Sequence, residues 1–243
     1  MSNASMSIEP LSWDSEFFGF RIGRAYPRQF RPSDLPQGAR QAGYRCLYLS
    51  CGISDGGALK EAAKAGFAPI DVRVTLKAHL TPPTSELTER SAIDIGPYRP
   101  EDMPHLIAIA HDLSAYSRFN LDPGFDEDAA RRLYGRRIQD SCAGRAEITL
   151  VARRDGLPMG FATCTAAGAT SGALEMVGVR DSAAGTGIGS ALVRAALHHH
   201  QQAGRPSAVV SVQGRNPRAL NFYQRNGFQI REMELVFHCW IDE

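Results

Sequence analysis

The chain has 243 residues, 43% hydrophobic and 22% charged, which is ordinary for a globular protein of one large or two small domains. Its formal net charge of +1 gives no bulk attraction to nucleic acid or anionic membranes, and no apolar run approaches the roughly 20 residues that span a bilayer. The 5 cysteines form no Cys-x-x-Cys pair, which argues against a disulfide framework or a zinc site and predicts a reducing, cytoplasmic location.

The N-terminal part of the chain predicts a small α/β unit. Residues 1–7 lack the basic start and apolar centre of a signal peptide and resemble the remnant of a cloning tag, which we expect to be disordered. An anchored, aromatic-rich segment at 8–20 precedes a proline-interrupted irregular stretch at 26–35. A predicted strand, helix and strand then follow in order, at 44–51, 57–65 and 72–80.

Paired prolines among small polar residues predict a linker at 81–91. We expect residues 8–80 to form a smaller domain and residues 92–243 a larger one. The first elements predicted in the larger domain are a strand at 92–96, a helix at 102–113, a loop at 114–125, a helix at 126–139, a hairpin of strands at 147–153 and 159–165, and a strand at 174–179.

Glycines at alternate positions follow the last of these strands. Gly185, Gly187 and Gly189 leave backbone N–H groups uncovered and permit positive φ, and a helical pattern begins behind them. The free amides and partial positive charge of a helix N-terminus form a cradle for phosphate oxygens. The loop has neither the Lys-Ser or Lys-Thr of a Walker A motif nor the spacing of a Rossmann fingerprint.

A second motif follows a strand predicted at 207–212. Asn216 is predicted to cap a helix that ends at Gly227, before a final strand at 229–240. This helix matches the pattern Asn-x-x-Ala-x-x-x-Tyr-x-x-x-Gly-Phe at every specified position. Together with the glycine loop, it resembles the GNAT superfamily of acyl-CoA-dependent N-acyltransferases over residues 91–243. The chain departs from that family at Ala184, where the glycine loop usually has Arg or Gln.

The resemblance implies an α/β fold with a mixed sheet flanked by helices, acetyl-CoA as co-substrate, and no metal. Tyr223 holds the position of the family's general acid. A phenol, with a pKa of about 10, can donate a proton to the departing thiolate, whose thiol has a pKa of about 8.5. Glu175, before the glycine loop, is the candidate base for the attacking amine. The implied cofactor-binding residues are Val177, Gly178, Val179, Gly185, Thr186, Gly187, Ile188, Gly189, Ser190 and Asn216.

The N-terminal half repeats part of this pattern. Residues 58–67 align with residues 219–228, each between two predicted strands, but Ala62 stands where the second copy has Tyr223. Because no glycine cradle precedes the first copy, we infer a truncated, degenerate GNAT-like half-domain without a cofactor site. The alternative is an unrelated Ala-rich helix that ends in Gly-Phe, which is a common helix ending.

Several short features of the chain resemble the dTDP-4-amino-4,6-dideoxygalactose (dTDP-fucosamine) acetyltransferases. They are the segments 7–13, 17–19 and 117–119, together with the degenerate half-domain. This resemblance implies a nucleotide-linked amino sugar as acceptor, with Tyr116, Arg118 and Phe119 in its cleft, and a homodimer. Another amine (a peptide, a polyamine or an antibiotic) and a non-catalytic acyl-CoA-binding module remain as alternatives.

Clustered histidines and arginines on predicted helices have a simpler interpretation. Consecutive residues of a helix point in different directions, so His198, His199 and His200 cannot all bind one metal ion, and we expect a solvated helix face. The arginine pairs at 131–132 and 136–137 also predict a helix surface, from which an anionic ligand could use one or two.

Overall fold

The computed structural model describes residues 8–26, 35–80 and 93–241. The predictions for the tag remnant, the linker and residues 27–34 of the irregular stretch therefore lie outside the described residues. Within the described ranges, no helix combines the length and the apolar character needed to cross a membrane.

The described residues contain ten strands and seven α-helices. The strands are β1 (Glu9–Pro10), β2 (Ile22–Ala25), β3 (Cys46–Gly52), β4 (Ala68–His79), β5 (Asp94–Pro97), β6 (Ile148–Arg154), β7 (Leu157–Ala166), β8 (Ser171–Val179), β9 (Ser207–Gln213) and β10 (Gln229–Trp240). The helices are α1 (Ser12–Phe18), α2 (Leu35–Gln41), α3 (Gly56–Lys64), α4 (Met103–Leu113), α5 (Ala129–Asp140), α6 (Ile188–Gln202) and α7 (Pro217–Arg225).

All ten strands belong to one mixed sheet, in the order β1-β2-β3-β10-β4-β9-β8-β7-β6-β5. The pairs β2/β3 and β8/β9 are parallel and the others antiparallel. The last strand, β10, lies between β3 and β4 and pairs with both. The C-terminus of the chain therefore completes the sheet of the N-terminal half, while the domain boundary at 81–91 stays a prediction.

Helices cover both faces of the C-terminal part of the sheet. On β6, Leu150 and Ala152 pack in the core that contains α6 and α7, whereas Val151 packs against α4 and α5. This period of two is the alternation expected of a strand buried on both faces. The sheet between two helical layers confirms the predicted α/β class.

Helices α3 and α7 have the same local construction. Asp55 and Asn216 each accept the amide N–H three residues further on, at 3.0 Å. Past the other ends, Gly66 and Gly227 have φ of 80° and 86°, a left-handed conformation that favours glycine. Each helix also joins two strands of the same sheet. The matching ends support the alignment of 58–67 with 219–228, and the half-domain itself stays a prediction.

The N-terminal segment has more regular structure than its sequence predicts. The anchored segment at 8–20 contains β1 and α1, and α2 begins at Leu35, where the irregular stretch is predicted to end. With only seven residues each, α1 and α2 are too short to show a helical period. The predicted loop at 114–125 contains two short 3-10 turns, Ser114–Tyr116 and Arg118–Asn120.

A buried ion pair joins the start of α4 to β6. Arg153 and Asp102 are each 2% exposed, and Arg153 Nε donates to Asp102 Oδ1 over 3.1 Å. The other carboxylate oxygen accepts the Arg99 amide at 2.7 Å, and Arg153 also donates to the Pro97 carbonyl. The pair therefore ties β5, the turn before α4 and β6 together.

The prediction of a solvated face for the three histidines is wrong for His200, which is fully buried. A Cβ on Gly172 of β8 would lie 2.3 Å from the His200 ring, so glycine there makes room for the imidazole. His200, His199 and Glu147 place ligand atoms within 4.8 Å of one another. Arg205 donates to Glu147 and lies 2.9 Å from His200 Nδ1, so its guanidinium already neutralises the carboxylate.

Candidate active site

Strands β8 and β9 separate halfway along their length. They pair only over residues 171–174 and 207–210, whereas β8 continues to Val179 and stays paired with β7. Among the described residues, no strand therefore lies beside the main-chain groups on the β9 side of residues 175–179. Such an edge can pair with the amide groups of an extended ligand as it would with another strand.

A β-bulge at Glu175 marks the point of separation. Met176 lies opposite Thr163 and Leu174 opposite Cys164, which leaves Glu175 as the extra residue. The Thr163 hydroxyl accepts the Met176 amide at 3.0 Å. Leu174 packs in the α6–α7 core and Met176 in the α4–α5 core, so the bulge reverses which side chains face which helices.

A groove of about 580 Å³ passes through this opening. Its lining comes from α4 on one face of the sheet and from α6 and α7 on the other, so the groove connects the two faces. It contains most of the residues that the sequence predicts for the cofactor, together with one predicted for the acceptor: Tyr116, Val177, Val179, Gly185, Gly187, Ile188, Gly189, Ser190 and Asn216.

The glycine loop forms the mouth of the groove at the start of α6. Gly185 and Gly187 have φ of 77° and 85°, and Gly187 is the residue that precedes the helix. The amides of Ile188, Gly189 and Ser190 begin α6, where N–H groups have no carbonyl one turn earlier to accept them. A Cβ on Gly189 would lie 3.2 Å from the Phe222 ring, so glycine also lets α7 approach the loop.

Two predicted cofactor residues have structural roles beside the groove. The Thr186 hydroxyl donates to the Ala183 carbonyl at 2.7 Å and holds the turn of the loop. A Cβ on Gly178 would lie 2.7 Å from Ile109 and 3.1 Å from the Phe161 ring, so glycine allows α4 to pack on β8. Neither residue is part of the groove lining itself.

Tyr223 lies on α7, in the core beside the groove. It is 6% exposed and packs edge-on against the rings of Phe222 and Phe228, at centroid distances of 5.0 and 5.5 Å. Burial raises the pKa of the Tyr223 phenol well above its usual value, so the hydroxyl stays protonated at neutral pH. Its neighbours Ala219 and Phe222 line the groove.

Glu175 lines a different cavity, of about 290 Å³, on the other side of the bulge. This cavity lies between the separating strands and the end of α5, and its polar side chains are Arg137, Ser141, Arg145, Glu175 and Ser211. Met176 lines this cavity and its neighbour Val177 lines the groove, so the two spaces flank one short stretch of β8.

Of the three residues predicted for the acceptor, Arg118 and Phe119 are in contact with each other, but only Tyr116 lines the groove. Tyr116 is 37% exposed and lines the groove. Phe119 is 3% exposed and packs against Phe18 and Phe125 in an aromatic cluster. Arg118 lies over the rings of Tyr48 and Phe119 and donates to His238 Nε2 at 3.1 Å.

Sequence reasoning missed several residues of the two cavities. Arg218, Phe222 and Arg225 recur at helical spacing on the face of α7 that lines the groove, a periodicity that could have identified them. Ser141 and Arg145 lie in a short π-type turn after α5, for which the sequence has no strong signal.

The separated strands, the glycine loop and the capped α7 place the chain in the class of acyl-CoA-dependent acyltransferases.

Residues 106–228, about half of the chain, match the model of the Acetyltransferase (GNAT) family, and the chain belongs to this family. It is an acyl-CoA-dependent N-acetyltransferase that uses acetyl-CoA as its co-substrate. The resemblance drawn from the glycine loop and the helix at 216–228 is thereby confirmed.

Known relatives extend the similarity into the N-terminal half. The chain is 25% identical over 226 residues to dTDP-fucosamine acetyltransferase of Escherichia coli, with 92% of this chain and 94% of that protein covered. It is also 25% identical over 147 residues to the spore coat polysaccharide biosynthesis protein SpsD of Bacillus subtilis, covering 60% of this chain but only 50% of SpsD.

Solved structures show the same fold. A GCN5-related N-acetyltransferase from Sphaerobacter thermophilus superimposes with a TM-score of 0.60 over 91% of this chain and 74% of that chain. At 19% sequence identity, this likeness concerns the fold alone.

Proposed function

We propose that the enzyme transfers the acetyl group of acetyl-CoA to the amine of a nucleotide-linked amino sugar of the dTDP-4-amino-4,6-dideoxygalactose type. The observation that carries the proposal is the pair of cavities on either side of the β8 bulge, one suited to coenzyme A and the other containing Glu175. The sugar class is supported by the similarity to dTDP-fucosamine acetyltransferase along nearly the whole chain.

Coenzyme A would lie in the groove with its diphosphate on the amides of residues 185–190. Oriented main-chain N–H groups at a helix N-terminus bind phosphate without a cationic side chain. Arg218 and Arg225 on α7 add positive charge to the same groove, which offsets the absence of Arg or Gln at position 184. The pantetheine arm would pair with the free edge of β8 at Val177–Val179.

The chemical step is a direct displacement at the thioester carbonyl. Glu175, directly or through a water molecule, takes a proton from the acceptor ammonium, and the neutral nitrogen forms a bond to the carbonyl carbon. A main-chain N–H near Val177 stabilises the oxyanion. As the C–S bond breaks, the attacking nitrogen loses its second proton to solvent and the departing sulfur takes the proton of the Tyr223 phenol. Solvent then returns a proton to the phenolate, and Glu175 releases the proton it took. The products are an amide and coenzyme A thiol.

The acceptor class is tested by following thiol release from acetyl-CoA with a panel of amines. We expect turnover with the dTDP-linked 4-amino sugar, and kcat/KM at least about 100-fold lower with peptides, polyamines and aminoglycoside antibiotics, because a site adapted to one polar ligand rejects others strongly. Turnover of a peptide or polyamine with none of any amino sugar would contradict the sugar assignment. Binding of coenzyme A with no turnover of any amine would contradict the catalytic roles of Tyr223 and Glu175.

A further inference from the structure

The cavity that contains Glu175 has two guanidinium groups at its other side. Arg137 comes from the last turn of α5 and Arg145 from the π-type turn Ser141–Arg145 that follows. Gly144, with φ of 110°, reverses the chain just before Arg145. Both arginines therefore reach a space whose opposite wall is the bulged part of β8.

Neither guanidinium group forms an ion pair with a carboxylate among the residues that the structure describes, although Asp140 is near enough to Arg145 for their charges to interact. Two other arginines of the same helix do form such pairs: Arg132 binds Asp126 at 2.6 Å and Arg136 binds Asp140 at 2.7 Å. Arg137 and Arg145 instead lie over the Trp13 ring, with Cζ to centroid distances of 5.7 and 5.6 Å. An aromatic ring attracts a cation but uses none of its N–H donors, so these donors stay available to a ligand.

Trp13 is itself held in place. Its indole N–H donates to Asp140 Oδ2 at 2.8 Å, and its ring stacks on Phe17 at a centroid distance of 5.5 Å. Asp140, which could have paired with the two arginines, is thus bound by Trp13 and Arg136. Helix α1 therefore gives the N-terminal segment a direct role in orienting the two cations.

Ser141 provides an independent indication of a ligand. It is 3% exposed, lines the same cavity, and its Oγ has no hydrogen-bond partner in the described structure. A buried hydroxyl without a partner costs stability, and native proteins keep few of them. A ligand oxygen between the guanidinium groups would accept its proton.

We propose that Arg137, Arg145 and Ser141 form an anion subsite that binds the phosphate or diphosphate group of the acceptor and so positions its amine beside Glu175. Guanidinium groups bind phosphate oxygens with two parallel N–H donors, which fixes orientation as well as adding affinity. The preferred acceptor is then a phosphate-linked amine rather than a neutral amino sugar. This inference rests on the proposed function and adds the group through which the acceptor is recognised.

Charge-removing variants test the subsite through KM. In Arg137→Gln and Arg145→Gln, we expect KM for a dTDP-linked amino sugar to rise about 10- to 100-fold, the effect of losing a charge-assisted hydrogen bond. KM for acetyl-CoA, and kcat/KM for the same amino sugar without its nucleotide, should change less than about threefold. Arg132→Gln, on the same helix, is the matched control and should stay within about twofold. Equal losses on charged and uncharged acceptors, or no loss on either, would overturn the subsite.

Calorimetry with inorganic pyrophosphate tests the anion subsite independently of the identity of the acceptor. With acetyl-CoA saturating, so that its own phosphate site is filled, we expect wild-type protein to bind pyrophosphate more tightly than inorganic phosphate, and both variants to bind it at least about tenfold more weakly. If this holds while no amino sugar is acetylated, the subsite stands and the acceptor is wrong. If dTDP binds but pyrophosphate does not, or if nucleotide sugars are acetylated with unchanged KM in both variants, the subsite is wrong.

Ser141→Ala gives a readout that a purely structural role would not produce. Because it removes an unpartnered buried hydroxyl, the melting temperature of the free protein should not fall, while pyrophosphate binding should weaken several-fold. A lower melting temperature with unchanged pyrophosphate binding would assign Ser141 to the fold and contradict its place in the subsite.

Discussion

Tyr223→Phe is expected to lower kcat at least about 100-fold and to leave the Kd of acetyl-CoA within about twofold. The substitution removes only the hydroxyl, so the ring keeps its packing between Phe222 and Phe228. General acid catalysis contributes about 10²- to 10⁴-fold, and we expect the lower part of that range. Burial raises the pKa of the phenol, which widens its gap from the departing thiol and makes proton transfer less favourable. Steady-state kinetics and calorimetry with acetyl-CoA measure the two quantities.

Tyr44→Phe is the matched control for this experiment. Tyr44 is 5% exposed, close to the 6% of Tyr223, but it packs in the N-terminal core. We expect kcat of the control to stay within about twofold of wild type, since groups away from the reacting atoms contribute little to general acid catalysis. A kcat for Tyr223→Phe within threefold of wild type would contradict the assigned role. An equal loss in both variants would attribute the effect to the fold.

Asp102→Ala is expected to lower the free energy of unfolding by about 3–5 kcal/mol, because it leaves the Arg153 guanidinium charged and unpaired in the interior. Both side chains are 2% exposed, so solvent cannot replace the lost carboxylate. Asp126→Ala breaks a pair whose side chains are 55% and 59% exposed, and should cost less than about 1 kcal/mol. Urea denaturation of the two variants measures both values.

The Asp102 effect should depend on pH in a defined direction. Burial by itself would raise the pKa of this carboxyl, but hydrogen bonds from Arg153 and the Arg99 amide outweigh burial, and the folded pKa lies below its usual value. A lowered folded pKa gives stability that is present above the unfolded pKa of about 3.9 and is lost as pH falls through the folded value. The difference between wild type and Asp102→Ala should therefore shrink in that acidic range. A difference that stays constant, or one below 1 kcal/mol at pH 7, would show that the pair contributes little.

Local sequence patterns were sufficient for most of the C-terminal half. Asn216 and Gly227 mark the two ends of α7. Asn216 caps the first turn with its side chain, and Gly227 adopts a positive φ after the last turn, as the sequence predicts. The turn at Asp155 and Gly156 is equally local, with φ of 52° and 76°. Helix caps and tight turns depend only on residues that are close in the chain, so they can be predicted from a single sequence.

Long-range placement could not be predicted in the same way. The position of β10 between β3 and β4 depends on pairing between segments more than 150 residues apart, and periodicity says nothing about which strands are neighbours. Phe119 illustrates the consequence for the candidate site. Its loop position suggests exposure to a ligand, but Phe18 arrives from α1, far away in the sequence, and buries it together with Phe125 of the same loop.

The second cavity depends on tertiary contacts in the same way. Arg136 and Arg137 are neighbouring residues of the same type. Arg136 binds the carboxylate of Asp140, four residues further on, whereas Arg137 lies over the Trp13 ring. The spacing of four residues predicts the pair between Arg136 and Asp140, but the contact of Arg137 with Trp13 depends on the packing of α1 against the end of α5. The bulge at Glu175 likewise arises from the register between β7 and β8, which the sequence of β8 does not specify.

The structure of the acetyl-CoA complex tests the central claim most directly. We predict that the diphosphate lies on the amides of residues 185–190, that the pantetheine arm follows the free edge of β8, and that the thioester sulfur is within about 3–4 Å of the Tyr223 hydroxyl, the reach of a proton donor. Coenzyme A bound outside the opening between β8 and β9, or bound there with its sulfur remote from Tyr223, would contradict the account.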